Sequence, residues 1–146
     1  MIAIGSDHAG YALKEEIKLY LEEKGVKYKD FGTGSEQSVH YPVYAGKVAE
    51  AIQSSECDKG ILVCGTGIGI SIAANKFKGI RCAACSDTFS ARMTRLHNDA
   101  NIIAIGARVV GGGLAMDIIE AFLTTGFEGG KHAVRVDMIT ELENRD

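Results

Sequence analysis

The residues best equipped for chemistry lie in one run, Ile61-Leu62-Val63-Cys64-Gly65-Thr66-Gly67-Ile68-Gly69-Ile70-Ser71. An unbroken apolar, β-leaning stretch delivers a thiol, then glycines at alternate positions, then the opening of a helix. A strand feeding a glycine-rich turn into a helix N-terminus aims several main-chain N–H groups at one spot. That spot holds an anion or a developing negative charge. Cys64 stands at the end of the strand against it, where the thiolate is favoured. A thiolate beside a nest of donors is the equipment for proton abstraction from a carbon acid.

Other reactive types are scattered along the chain. Asp7 and His8 follow the first apolar run, His97 and Asn98 close a helical stretch, and Arg108, Lys131 and Arg135 supply cations. Each also has an ordinary structural role. A buried cysteine is a small hydrophobe, His8 caps a helix, His97 relieves a helix C-terminus, and Lys131 and Arg135 lie one turn apart on a solvated face. Their convergence near one rim or the tail is what points to a site.

The elements that must position these groups alternate. Strands are expected at Met1–Gly5, Val26–Phe31, Ile61–Cys64, Gly79–Cys85 and Ile102–Ile105. Between them come helices from Tyr11 to Lys24 with Gly25 as the C′ residue, from Pro42 to Ile52, from Ile70 to Lys76, and one capped by Ser86-Asp87. A Gly111-Gly112-Gly113 turn then leads into a strongly apolar helix, Leu114 to Leu123. Beyond Lys131, His132 and Arg135 comes a short amphipathic helix with Val136, Ile139 and Leu142. Strands alternating with helices imply an α/β sandwich around a five-stranded parallel sheet with right-handed crossovers. Ligands of such sheets sit at the carboxyl ends of strands, near a topological switch point. Asp7, His8, Cys64 to Gly69, Asp87 and Arg108 fall at those ends.

The bulk composition narrows the function. A chain of 146 residues, 46% hydrophobic, has the size of one domain, 1–146, with a sizeable core. A net charge of −3 gives no footprint for nucleic acid. No apolar run approaches the roughly 20 residues of a membrane span, and no leader is apparent, so a soluble, cytoplasmic protein is expected. The 4 cysteines are then reduced thiols. Cys82-Ala-Ala-Cys85 has a redox or zinc spacing, but on a strand its two thiols face opposite sides, and no second pair completes a ligand set. No metal is expected.

Two classes of function remain open on these residues. The glycine turn departs from the dinucleotide fingerprint because Gly69 comes one place early, yet Asp87 stands where a ribose-binding acid would. A nucleotide-binding module without catalysis therefore competes with an enzyme. The phosphate loop of nucleotide triphosphatases is excluded, since no Gly-Lys-Ser or Gly-Lys-Thr occurs.

Three motifs are distinctive: Gly5-Ser6-Asp7-His8-Ala9-Gly10, then Cys64-Gly65-Thr66-Gly67-Ile68-Gly69 with Ala73-Ala74-Asn75-Lys76, and Arg95-Leu96-His97-Asn98-Asp99-Ala100-Asn101. With them the chain resembles the type B ribose-5-phosphate isomerases, a family shared with allose-6-phosphate and galactose-6-phosphate isomerases. The resemblance runs from Met1 to the Arg135 region. It implies a Rossmann-like three-layer sandwich, the pentose phosphate pathway, and exchange of ribose 5-phosphate with ribulose 5-phosphate through an enediolate, without metal or cofactor. By the same resemblance Cys64 is the base, His97 opens the sugar ring, and Thr66 shuttles protons. Gly65, Thr66, Gly67, Ile68 and Gly69 hold the enediolate, Asp7 and Asn98 the sugar hydroxyls, and His8, Arg108, Lys131 and Arg135 the phosphate end. Members with a glutamate base place it where this chain has Ile70, and better-known members have arginine at Lys131. The family's site lies between subunits, with His97 and Arg108 supplied by the partner, which implies a homodimer or a dimer of dimers. The apolar helix at Leu114 to Leu123 is expected to help that association.

Overall fold

The computed structural model describes every residue from Met1 to Asp146. Its elements in chain order are β1 (Ile2–Ser6), α1 (Tyr11–Glu23), β2 (Tyr28–Asp30), α2 (Tyr41–Gln53), β3 (Lys59–Cys64), α3 (Ile68–Ala74), β4 (Cys82–Ala84), α4 (Thr88–Asn98), β5 (Ile102–Gly106), α5 (Gly112–Thr124) and α6 (Lys131–Glu143). The strands form one sheet in the order β2-β1-β3-β5-β4, and every neighbouring pair is parallel.

The central strands are apolar at consecutive positions because both faces of the sheet are covered. Ile2, Ile4, Ile61, Val63, Ile103 and Ile105 pack on one side with Leu13, Ile17 and Leu21 of α1 and Ile118, Ile119 and Phe122 of α5. Ala3, Leu62, Cys64, Ile102 and Ala104 turn the other way, onto Ala45, Val48 and Ala49 of α2 and Ile70 and Ala74 of α3. Each fully buried aliphatic side chain contributes about 1.5–3 kcal/mol relative to exposure. This is the three-layer α/β/α sandwich that the alternation of elements predicts.

The edge strands are shorter than the sequence suggests. β2 and β4 each have one sheet neighbour, and each pairs over only 3 residues. At Cys82 the outer side of β4 is met by a side chain instead of a strand. The Asn75 carboxamide donates to the Cys82 carbonyl at 2.9 Å and accepts the Cys82 N–H at 2.7 Å. That pairing satisfies an edge that would otherwise invite another chain.

Two helices also start earlier than expected. α3 begins at Ile68, directly after the glycine turn, and α5 begins at Gly112, so that two of the three consecutive glycines lie in its first turn. The tail forms one helix from Lys131 to Glu143 rather than a short one after Arg135. Gly25, at φ +68°, ends α1 as the sequence predicts. No helix is long and apolar enough to cross a membrane.

The chain passes from β1 outward to β2, then returns to place β3 on the opposite side of β1. That reversal opens a crevice between the carboxyl ends of β1 and β3. Ser6-Asp7-His8 leaves one strand there and Cys64-Gly65-Thr66 the other.

Candidate active site

Cys64 ends β3 with only 5% of its surface exposed. Its sulfur accepts the Gly67 N–H at 3.1 Å, so the side chain packs in the core with its sulfur at the glycine turn. The turn requires glycine at position 67. Its φ is +78°, and a Cβ there would lie 2.8 Å from the Ile105 carbonyl carbon. The Ile68 N–H donates to Thr66 Oγ1 at 3.2 Å, so the Thr66 hydroxyl helps form the turn and keeps its own proton to donate. The N–H groups of Gly65 and Thr66 have no partner within the chain. A thiol, a hydroxyl and two unengaged main-chain donors therefore meet at the mouth of the crevice.

The β1 side is pinned to the same mouth. The Asp7 N–H donates to the Val63 carbonyl at 3.2 Å, and the Asp7 carboxylate accepts the Gly10 N–H at 3.0 Å. One carboxylate oxygen thus shapes the turn into α1. A Cβ on Gly10 would come within 2.4 Å of the Val63 oxygen, which is why the motif closes on glycine. His8 Nδ1 accepts the Val39 N–H at 3.2 Å. That bond leaves the neutral ring's proton on Nε2, a donor for an anionic group. Through it the polar loop between β2 and α2 is tied to the crevice.

Arg108 completes this rim from β5. Its N–H donates to the Gly65 carbonyl at 3.0 Å, and its guanidinium Nη1 is 3.6 Å from where a Gly65 Cβ would stand. Within its own chain Arg108 thus stands beside the glycine turn. Asp87, the candidate ribose-binding acid, is instead the N-cap of α4. It accepts the Ser90 N–H at 2.7 Å and the Ser90 hydroxyl at 2.8 Å, and these bonds hold its carboxyl below the usual carboxylate range. That assignment removes the main support for a nucleotide-binding reading.

His97, Asn98, Lys131 and Arg135 do not join this rim. α4 starts beyond the carboxyl end of β4 and runs back across the sheet, so its last residues reach the amino end of the strands. The Asn98 carbonyl accepts from Arg81 Nε at 2.9 Å, and Asn101 Oδ1 accepts the Arg81 N–H at 2.8 Å, just ahead of β4. The buried Arg95 guanidinium reaches Asp99 at 2.8 Å and the Ala100 carbonyl at 2.7 Å, while Asp99 adopts φ +46° to end the helix. In the third motif, then, Arg95, Asp99 and Asn101 are a frame, and His97 and Asn98 are what it presents.

Against that frame lies α6. The His132 ring stacks on His97 with centroids 4.1 Å apart and 14° between planes. Burial, the adjacent His97 and the nearby Lys131 and Arg135 hold the His132 imidazole below its ordinary pKa, with Glu128 opposing them. Glu128 stands 3.6 Å from His97 Nε2 and 3.7 Å from His132 Nε2. Sequence reasoning missed Glu128. Its separation from His132 is that of a helical turn, but it precedes the helix and carries no signal without His97 beside it.

Cys82 and Cys85 pack on opposite faces of the sheet, as their strand spacing requires. Burial raises both thiols above their ordinary range, Cys85 to about 11. Neither is poised for thiol exchange.

A crevice at the switch point of a parallel sheet, holding a thiol against unengaged main-chain donors, defines an enzyme of the isomerase class when read beside its relatives. The chain belongs to the ribose/galactose isomerase family, whose match covers residues 2–139. It is 53% identical over 144 residues to ribose-5-phosphate isomerase B of Escherichia coli strain K12, covering 99% of this chain and 97% of that one. It is 46% identical over 148 residues to a protein of Pectobacterium atrosepticum named D-erythrulose-4-phosphate isomerase, covering 99% and 96%. The solved structure of Clostridium thermocellum ribose-5-phosphate isomerase B superposes with a TM-score of 0.96 at 57% identity, over 97% of this chain and 96% of that one.

Proposed function

We propose that this protein interconverts D-ribose 5-phosphate and D-ribulose 5-phosphate, acting as one sugar-phosphate isomerase domain over residues 1–146. The carrying observation is the Cys64 sulfur held at the glycine turn by the Gly67 N–H at 3.1 Å, in a chain 53% identical to a ribose-5-phosphate isomerase B.

In this reading the Cys64 thiolate removes the proton from C2 of the open aldose. Negative charge moves to the C1 oxygen, where the Gly65 and Thr66 N–H groups receive it. One such preorganised donor is typically worth about 2.7–4 kcal/mol. The Thr66 hydroxyl carries a proton between O2 and O1, and the Cys64 thiol returns its proton to C1, giving the ketose. Asp7 and Asn98 bind sugar hydroxyls, and Gly67, Ile68 and Gly69 form the floor. His8 Nε2, Arg108, Lys131 and Arg135 bind the phosphate end.

The ring must open before C2 becomes acidic. His97 serves by donating a proton to the ring oxygen while the anomeric hydroxyl gives its proton to solvent water. Since His97, Asn98, Lys131 and Arg135 stand at the amino end of the strands and Cys64 at the carboxyl end, a complete site draws its two halves from two copies. Exposed apolar side chains support a homodimer or a dimer of dimers. Ile68, Ile72, Phe89 and Val109 lie on elements at the carboxyl rim, and Val134, Met138 and Leu142 lie along α6. The apolar helix α5 has a smaller part than its sequence suggests, because Ala115, Ile118, Ile119 and Phe122 are spent on its own core. We assign the enzyme to the cytoplasm and to the pentose phosphate pathway.

The test is kcat/KM on ribose 5-phosphate, allose 6-phosphate and galactose 6-phosphate, with ribose 5-phosphate expected to lead. A clear preference for a six-carbon substrate would move the assignment within the family. The Gly32 to Tyr41 segment, tied to His8 through Val39, is expected to set that preference.

A further inference from the structure

We propose that His97, His132 and Glu128 form a site for a divalent transition-metal ion of the zinc type, and that its occupancy switches off ring opening. The effect on turnover rests on the ring-opening reading of His97; the binding does not.

The three donors converge. Glu128 Oε2 is 3.6 Å from His97 Nε2 and 3.7 Å from His132 Nε2, and the three ligand atoms lie within 4.8 Å of one another. Zinc bonds of about 2.1 Å in a tetrahedron separate neighbouring ligand atoms by roughly 3.4 Å. The two carboxylate-to-ring spacings need contract by only a few tenths of an ångström, and the two imidazoles, stacked with centroids 4.1 Å apart, close on an ion by side-chain rotation. A fourth position, left to water, faces the solvent around the half-exposed His97.

Each ligand is carried on a fixed support. His97 is in the last turn of α4, and the Glu128 N–H donates to the Leu96 carbonyl next to it at 3.1 Å. Gly129 and Gly130, both at positive φ, turn the chain into α6, and the His132 N–H donates to the Gly129 carbonyl at 3.0 Å. The two rings stack nearly parallel with their Nε2 atoms on the same carboxylate oxygen, and since each lone pair lies in its ring plane, one ring must swing out of the stack for both to reach the same ion. Two imidazoles and one carboxylate suit zinc, cobalt, nickel or copper, and discriminate against magnesium and calcium, which take oxygen ligands.

The consequence follows from the nitrogen involved. A ring-opening His97 needs a free lone pair or proton at the edge it shows to the sugar. A metal ion on Nε2 occupies that edge and adds positive charge. Turnover of a cyclic substrate falls, while a sugar phosphate that cannot cyclise is spared.

The experiment titrates the purified full-length protein with cobalt(II) and follows the visible absorption of the tetrahedral ion. The same protein is assayed with zinc on ribose 5-phosphate and on erythrose 4-phosphate, which cannot form a furanose because its O4 is esterified. Expected are one cobalt per chain and stronger zinc inhibition of the five-carbon sugar. Glu128→Gln and His132→Asn should each raise the cobalt and zinc concentrations for half effect by about tenfold or more, each variant being compared with its own metal-free rate. Unchanged cobalt binding in both variants, or a sulfur-to-cobalt charge-transfer band showing ligation by Cys64, overturns the site. Cobalt binding that depends on Glu128, in a protein that isomerises neither sugar, keeps the metal site and sinks the proposed function.

Discussion

The sulfur of Cys64 and the main-chain nitrogen of Gly67 are 3.1 Å apart, with the N–H directed at the sulfur. A side chain counted in the hydrophobic core is thereby turned toward the site where an enediolate would form. Cys64→Ala removes the proposed base and leaves the Gly65 and Thr66 donors in place. Turnover of ribose 5-phosphate is expected to fall by at least about 10³-fold, within the range of positioned acid–base groups. Binding of a ribonate 5-phosphate analogue, measured by calorimetry, should change little. Turnover within a few-fold of the parent would exclude the thiol as base.

Gly67 tests the cradle itself. An alanine there must adopt φ +78° and place its Cβ 2.8 Å from the Ile105 carbonyl carbon, a backbone atom that has little room to yield. Strain and overpacking together should cost about 2–4 kcal/mol in urea unfolding. The surviving folded protein should also lose kcat, because the N–H that orients the sulfur moves with the turn. A stable, fully active Gly67→Ala protein would show that the turn is not built around this conformation.

How much of this was readable in advance depends on the scale of the interaction. The order of strands and helices was legible because both core faces are written as local apolar pattern, in β3 and β5 as much as in α1. The carboxyl rim was legible too, since a strand, a glycine turn and a helix are contiguous in sequence. Edge-strand lengths were not: the outer side of β4 meets Asn75 at its first residue, Cys82, where a neighbouring strand would otherwise pair, and that contact comes from a separate element. Asp87 was ambiguous because a capping acid and a ribose-binding acid occupy the same place in the chain. Glu128 was invisible because its partner His97 lies on another element. The amino-end position of His97, Lys131 and Arg135 required the topology, which no local motif encodes.

Asp30 predicts a pH dependence. Burial alone would raise its carboxyl, but hydrogen bonds from Lys14, Lys18 and the Gly32 N–H outweigh that and hold it below the usual carboxylate range. A carboxyl whose folded pKa is depressed adds stability that is fully present above the unfolded value, near 3.9. That stability is lost as pH falls through the folded value. Lys14, fully buried, is paired to Asp30 at 2.6 Å. Asp30→Asn therefore leaves a buried ammonium with only the more distant Glu15 carboxylate at 3.9 Å and should cost about 3–5 kcal/mol at pH 7. Lys14→Met, which leaves Asp30 its bond to Lys18 at 2.9 Å, should cost less than about 1.5 kcal/mol. In urea unfolding the gap between parent and Asp30→Asn should narrow below about pH 4. A gap that stays constant down to pH 3 would contradict the assignment.

The separation of His97 from Cys64 by the height of the sheet carries the sharpest prediction. If each site takes Cys64 from one copy and His97 from another, Cys64→Ala and His97→Asn damage opposite halves. His97→Asn alone should slow ribose 5-phosphate by about 10²-fold or more, while a non-cyclising four-carbon sugar phosphate loses far less. In a mixed dimer one site carries both lesions and the other carries none. Random pairing at a 1:1 ratio makes half the dimers mixed, each with one of its two sites intact, so about a quarter of parental activity should return. Co-refolding the two inactive variants and assaying ribose 5-phosphate measures this directly, with each variant refolded alone as the control. Activity no greater than the sum of the controls, in a sample shown by tagged pull-down to contain mixed dimers, would mean that one chain supplies both groups.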